Sequence, residues 1–109
     1  MKLITAVLKP DMVDDVVMAV IEAGARGLTA AEVIGFGQQY GHGNPPESTA
    51  VLLPKTRLDI VVKDADAERV ANAIAKRANT GTIGDGKIWV STVDSVIRVR
   101  TGERDASAL

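Results

Sequence analysis

The run Thr80-Gly81-Thr82-Ile83-Gly84-Asp85-Gly86-Lys87 holds the residues of this chain best suited to chemistry. Glycines allow a tight turn and bring bare N–H groups close to a ligand. Successive N–H groups in such a turn form a concavity that binds anions. Lys87 closes the turn with a point charge. Downstream, Val96-Ile97-Arg98-Val99-Arg100 reads as a basic strand, with Arg98 and Arg100 presenting fork-shaped donors on one face. These types and spacings point to a polyphosphate. The spelling Gly81-x-x-x-x-Gly86-Lys87 nearly matches a P-loop, but that motif continues with Ser or Thr and opens a helix. Here Ile88 follows, then Trp89-Val90, an apolar run that reads as a strand. The P-loop is therefore excluded. The residues themselves leave two readings: a phosphate-binding turn entering a strand, or a tight glycine turn without a ligand.

Composition narrows the classes. The chain has 109 residues, net charge −1, no cysteine and one histidine, His42. That length fits one domain, 1–109, with a usable core. Disulfides, thiolate zinc sites and multi-histidine metal sites are excluded. The charge balance argues against a nucleic-acid or anionic-membrane binder. One Phe, one Tyr and one Trp are too few for the stacking platforms of an RNA-binding sheet. The apolar start, Met1 to Leu8, is too short for a signal peptide and is interrupted by Lys9-Pro10-Asp11. No run approaches transmembrane length, so a cytoplasmic protein is expected. No nucleophile, base and orienting group fall together, and no paired carboxylates flank the turn, so an enzyme is not expected.

The turn needs elements to hold it. Residues 2–8 read as a central strand, apolar on both faces. Pro10 and Asp11 are helix-start signals. Val13, Val16, Val17, Val20 and Ile21 then make one apolar helix face, with Gly24 suited to its end. Residues 28–36 read as a second strand, and 56–62 as a third. Between them lies a long polar connection at about 37–55, rich in Gly and Pro; connections this long tend to be functional or mobile. Asp64 or Asp66 is placed to cap a second helix with its apolar face at Ala67, Val70, Ala71, Ile74, Ala75 and Ala78. After the glycine turn, 88–90 and 93–100 supply one or two final strands, and a tail follows at about 101–109. The order β-α-β-β-α-β predicts an α+β, ferredoxin-like sandwich: an antiparallel sheet with two helices on one face. The other face also carries aliphatic residues, which predicts burial by further copies.

Taken together, these segments resemble the PII nitrogen-regulatory signalling family along nearly the whole chain. The resemblance rests on Lys9-Pro10, Gly27-Leu28-Thr29, Glu32-Val33-x-Gly35-Phe36-Gly37-x-Gln39, Gly41-His42, Leu53-Pro54-Lys55, Thr80-Gly81-x-Ile83-Gly84-Asp85-Gly86-Lys87-Ile88 and Val96 to Glu103. It implies a homotrimer with ATP or ADP in three clefts between subunits. By matching positions, Gly84, Asp85, Gly86 and Lys87 hold phosphates, and Arg98 and Arg100 pair their charge. Thr29, Asp59 and Val61 meet the adenosine portion, with some contacts from the neighbouring subunit. Gly35, Gly37 and Gln39 line the cleft where the long loop departs. The resemblance further implies 2-oxoglutarate beside ATP, with Lys9, Gln39, Gly41 and Lys55 around it. Gln39 would offer Mg²⁺ an amide oxygen, reasonable for a cation that shares hard oxygens with phosphates. The implied partner is a regulated enzyme or membrane transporter, contacted through the long loop, with recruitment to the membrane in the latter case.

The long loop departs from the family pattern. It lacks an arginine, and its one tyrosine, Tyr40, lies at the base rather than near the apex. It is a few residues short, and Pro45-Pro46 favours an extended form. Control by tyrosine nucleotidylation and plugging of an ammonium channel by a loop arginine are therefore not expected. Ser48, Thr49 and His42 read as ordinary loop residues, and Gln38 replaces a family arginine. The alternative is an adenylate sensor that ignores 2-oxoglutarate and serves a transporter or another small anion.

Overall fold

The computed structural model describes residues 1–37 and 51–109. Its main elements are β1 (Lys2–Leu8), α1 (Val13–Glu22), β2 (Thr29–Gly35), β3 (Leu53–Val62), α2 (Asp64–Ala78) and β4 (Gly86–Thr92). The four strands form one sheet in the order β2-β3-β1-β4, with every neighbouring pair antiparallel. This is the expected ferredoxin-like arrangement.

The core follows from two periodicities. Alternate residues of a strand share a face, and Ile4, Ala6 and Leu8 of β1 join Leu58, Ile60 and Val62 of β3 on the face beneath the helices. Val16 and Val20 of α1 and Val70 and Ile74 of α2 pack onto them. Most of these side chains are fully buried, each contributing about 1.5–3 kcal/mol. A short 3-10 turn, Pro10–Met12, leads into α1. Gly24 takes a left-handed φ of +100° where the chain leaves that helix.

Three local expectations are corrected. The third strand begins at Leu53, not at residue 56: Gly35 pairs with Leu53 and Ile34 with Pro54, so the sheet extends into the base of the long connection. Proline is admissible there because β2–β3 pairing begins at that end and Pro54 need not donate along the ladder. Neither Asp64 nor Asp66 caps α2. Lys63 holds the cap position without a side-chain bond, and both carboxylates lie in the first turn, where they complement the helix dipole. Residues 93–100 are not a sheet strand. Arg98 N–H donates to the Glu103 carbonyl, Gly102 N–H to the Arg98 carbonyl and Asp105 N–H to the Val96 carbonyl. The chain thus folds back on itself at Gly102, whose φ is +73°, and satisfies its backbone locally.

Neither α1 nor α2 packs on the opposite face of the sheet. Leu3, Val7, Val33 and Val61 are half-buried there, as the aliphatic pattern predicts. Its centre is polar, however. Thr5 is fully buried, its hydroxyl donates to Asp59 Oδ1 at 2.8 Å, and Arg57 Nε donates to Asp59 Oδ2 at 3.0 Å. Trp89, directly opposite Thr5 in the register, stays 44% exposed on this face.

Candidate functional site

The glycine turn leaves the end of α2 and delivers the chain into β4 beside the end of β1. Gly81, Gly84 and Gly86 have φ of +77°, +100° and +111°, values that side chains rarely tolerate. Gly86 pairs with Leu8 in the β1–β4 register. A Cβ at this position would lie 2.1 Å from the Val7 carbonyl oxygen, so glycine is required by contact as well as by φ.

Asp85 organises the turn from within. Its Oδ2 accepts the N–H of Thr80 at 2.7 Å and of Gly81 at 3.0 Å. Its Oδ1 accepts the Thr80 hydroxyl, the Thr82 hydroxyl at 3.3 Å and the Lys9 ammonium at 3.2 Å. Lys9 also donates to Thr82 Oγ1 at 3.0 Å, and Gly81 N–H is shared with Asn79 Oδ1 at 2.7 Å. The Thr80 hydroxyl and N–H, followed by Lys9, hold the Asp85 carboxyl well below the usual carboxylate range.

A cleft of about 530 Å³ opens beside this turn. Gly35 and Gly37, where β2 ends, line it with Lys55 of β3 and the run Thr82 to Lys87. Lys55 Nζ lies 3.4 Å from the Gly84 carbonyl oxygen, which ties the β3 end to the turn. Seven of the expected binding residues are thereby brought together: Gly35, Gly37, Lys55, Gly84, Asp85, Gly86 and Lys87. Lys9 joins them from behind the turn through Asp85.

Thr29, Asp59, Val61 and Arg98 gather elsewhere, in a second cleft of about 570 Å³. Ala108 and Leu109 of the tail also line it. Arg98 Nη1 donates to Glu103 Oε1 at 3.1 Å and Nη2 to the main-chain oxygen of Leu109 at 3.0 Å. The two clefts share no lining residue. Lys55 and Val61 lie six residues apart along β3, a span of about 20 Å at 3.3 Å per residue. Within one chain, therefore, Arg98 lines a different cleft from that of the glycine turn. Arg100 lies exposed beyond Arg98 in the Val99–Thr101 turn and lines neither cleft. The expected pair of arginines on one strand face is thus replaced by two residues with different surroundings, because the backbone turns back instead of extending.

Gln39 and Gly41, expected at Mg²⁺ and 2-oxoglutarate, lie outside the described residues, as do Gln38, Tyr40, His42, Ser48 and Thr49. Among the described residues, no helix is long and apolar enough to cross a membrane. The sequence assigns no individual role to three residues: Thr80 and Thr82, whose hydroxyls brace Asp85, and Glu103, which pairs with Arg98. The alternation of hydroxyls around Gly81 in Thr80-Gly81-Thr82, with an acid following, was the available signal for the first two.

Comparison with known proteins points the same way along the full chain. Residues 1–103 match the family profile described as Nitrogen regulatory protein P-II. The chain is 44% identical to Nitrogen regulatory protein GlnK of Escherichia coli (strain K12) over 112 aligned residues, covering all of both proteins. It is 43% identical to Nitrogen regulatory protein P-II of Azospirillum brasilense and 46% identical to that of Rhizobium meliloti (strain 1021). Those two alignments also span 112 residues and cover both proteins completely.

Proposed function

Because the chain belongs to the nitrogen regulatory protein P-II family, a family of signal-transduction regulators rather than enzymes, we propose that it binds ATP and ADP in clefts between its own copies and passes the ligand state to a target protein through its long loop. The observation that carries this reading is the division of the expected contacts between two clefts without a common residue. The turn cleft offers backbone donors and Lys87 to phosphates. The second cleft offers Thr29, Asp59 and Val61 to a nucleoside, with Arg98 as a further cation. Within one chain the two clefts have no lining residue in common, and a neighbouring copy that sets its second cleft against the first copy's turn completes the site. A cyclic homotrimer repeats that contact three times and closes it. The half-buried aliphatics and Trp89 on the uncovered sheet face supply a surface for such assembly.

Mg²⁺ with 2-oxoglutarate fits the same region. Lys55 lies beside the turn as a cation for a carboxylate, with Lys9 and Gly41 as further candidates and Gln39 as the amide donor to the metal. Bound there, such a metal would be held on the protein side by Gln39 and would supply charge neutralisation between anions. Ligands shift the loop only by binding one of its states better than another, so ATP with 2-oxoglutarate and ADP are expected to favour different loop states. The loop sequence itself, without an arginine and with Pro45-Pro46, favours a target surface different from that of relatives that use both a tyrosine and an arginine.

Titration calorimetry with ATP and ADP, each with and without Mg²⁺ and 2-oxoglutarate, tests this reading. The expected result is binding of both nucleotides, with ATP binding strengthened when Mg²⁺ and 2-oxoglutarate are present together. ATP binding indifferent to both additions selects a divergent adenylate sensor that serves another anion or a transporter. Absence of nucleotide binding overturns the reading.

A further inference from the structure

We infer that Asp85 is a positioning residue that acts as the turn's own internal anion and does not touch the nucleotide. This deepens the proposed nucleotide reading and rests on it for its binding arm. A carboxylate offers about four lone-pair directions. Five donors converge on this one: the N–H groups of Thr80 and Gly81, the hydroxyls of Thr80 and Thr82, and the Lys9 ammonium. No acceptor capacity remains for a ribose hydroxyl or a metal. The side chain is also only 20% exposed, although Asp85 is itself among the residues that line the cleft.

The arrangement resolves a conflict of charge. An acidic side chain in a cleft meant for a polyphosphate repels its ligand unless its charge is answered from the protein. Lys9 answers it here, and the two N–H groups at the start of the turn fix its direction. The N–H groups of Thr80 and Gly81 are consequently spent on Asp85, so the donors left for a phosphate come from the far side of the turn, next to Lys87. Lys9 is held by two partners on the same turn, Asp85 and Thr82, which leaves one of its three N–H donors for a ligand. The triad Lys9–Asp85–Thr80 thus sets both the shape of the turn and the place of a cation behind it.

Two measurements on Asp85→Asn test the assignment. The first uses the ligand-free protein: amide exchange followed by NMR should find Thr80 and Gly81 protected in the parent and at least tenfold faster in the variant, with the β1–β3 amides unchanged. Unchanged exchange at Thr80 and Gly81 overturns the bracing role. The second is calorimetry with ATP and with ADP, with and without Mg²⁺. Loss of the bracing contacts should weaken both nucleotides by about tenfold or more, the scale of a lost charge-assisted hydrogen bond, and by the same factor in every arm. Affinity that is unchanged or tighter means that Asp85 was simply repelling phosphate, and a loss confined to the Mg²⁺ arms makes it a metal ligand; either result overturns the proposal. A parent protein that binds neither nucleotide removes the proposed function, while the exchange measurement still decides the bracing. Should Asp85→Asn fail to fold, Thr80→Val removes one donor and should move both readouts in the same direction by less; no movement in either overturns the assignment.

Discussion

The glycine turn and the arginine turn are built on opposite principles, although each presents a cation to a cleft. At the glycine turn the acidic partner is fixed: Asp85 is anchored by two backbone N–H groups and two hydroxyls before Lys9 is counted. At the arginine turn the partner is exchangeable. Arg98 meets Glu103 through one side-chain bond, and the two side chains are 35% and 44% exposed. Exposed pairs of this kind contribute about 0–1 kcal/mol. A braced turn in one cleft and, in the other, a guanidinium held by Glu103 and the Leu109 main-chain oxygen suit the proposed ligand, which seats its phosphates and draws in a cation from a neighbouring copy.

The harshest way to break that contrast is to deform the rigid half. Gly86→Ala places a Cβ 2.1 Å from the Val7 carbonyl oxygen, and backbone cannot yield there without parting β1 from β4. Strain at positive φ and overpacking together should cost roughly 3 kcal/mol or more, read as a lowered denaturation midpoint at fixed protein concentration. Gly81→Ala supplies the control: φ is +77° with nothing within 4 Å, so only the left-handed penalty of about 1–2 kcal/mol should appear. Equal losses in the two variants would remove the claim that β1 packs directly against the turn.

Binding separates the halves next. Lys87→Ala should weaken ATP by about 10- to 100-fold, the range of one lost charged contact at about 1.5–3 kcal/mol, while the protein stays folded. Arg98→Ala should weaken ATP as well, for a different reason: it strips the neighbour's contribution. When the two variants are assembled together in equal amounts, random mixing around a cyclic trimer gives about a quarter of clefts an intact Lys87 facing an intact Arg98. Calorimetry should therefore recover about that fraction of parent-strength sites. No recovery would place both residues in one chain's site and undo the two-cleft arrangement.

What the sequence disclosed and what it concealed divide along the same line. The sheet and helices were legible because apolar spacing is local: Ile4, Ala6 and Leu8 alternate, and Val16 and Val20 recur at one helical turn. The composition of the turn cleft was legible because glycine, aspartate and lysine are contiguous from Gly84 to Lys87. The separation of Arg98 from that cleft was not, since a five-residue apolar–basic run reads as a strand until Gly102 returns the chain against it. The motif places Asp85 among the expected phosphate contacts, whereas the proposed bracing role depends on partners that the motif does not pair with it. Its oxygens accept from Thr80, five residues back, where the flanking hydroxyls are a local signal, and from Lys9, just beyond β1, which no local signal links to it. The extension of β3 to Leu53 was hidden by Pro54, which marks a loop in isolation and sits in the strand only because Ile34 is its partner.

The finest test asks whether the exchangeable partner is exchangeable. In Glu103→Gln the fold-back survives on backbone bonds, from Arg98 N–H to the residue-103 carbonyl at 2.9 Å and from Gly102 N–H to the Arg98 carbonyl at 2.8 Å. Stability should then change by no more than about 1 kcal/mol, as expected for one exposed ion pair. A guanidinium released from Glu103 no longer has to leave a carboxylate before it meets a phosphate, so ATP affinity should rise about two- to fivefold, at most the 1 kcal/mol that such a pair holds. The opposite sign would carry more information. If Glu103→Gln weakens ATP, Glu103 aims Arg98 just as Asp85 shapes the glycine turn, and both halves of the site are then built on fixed acids.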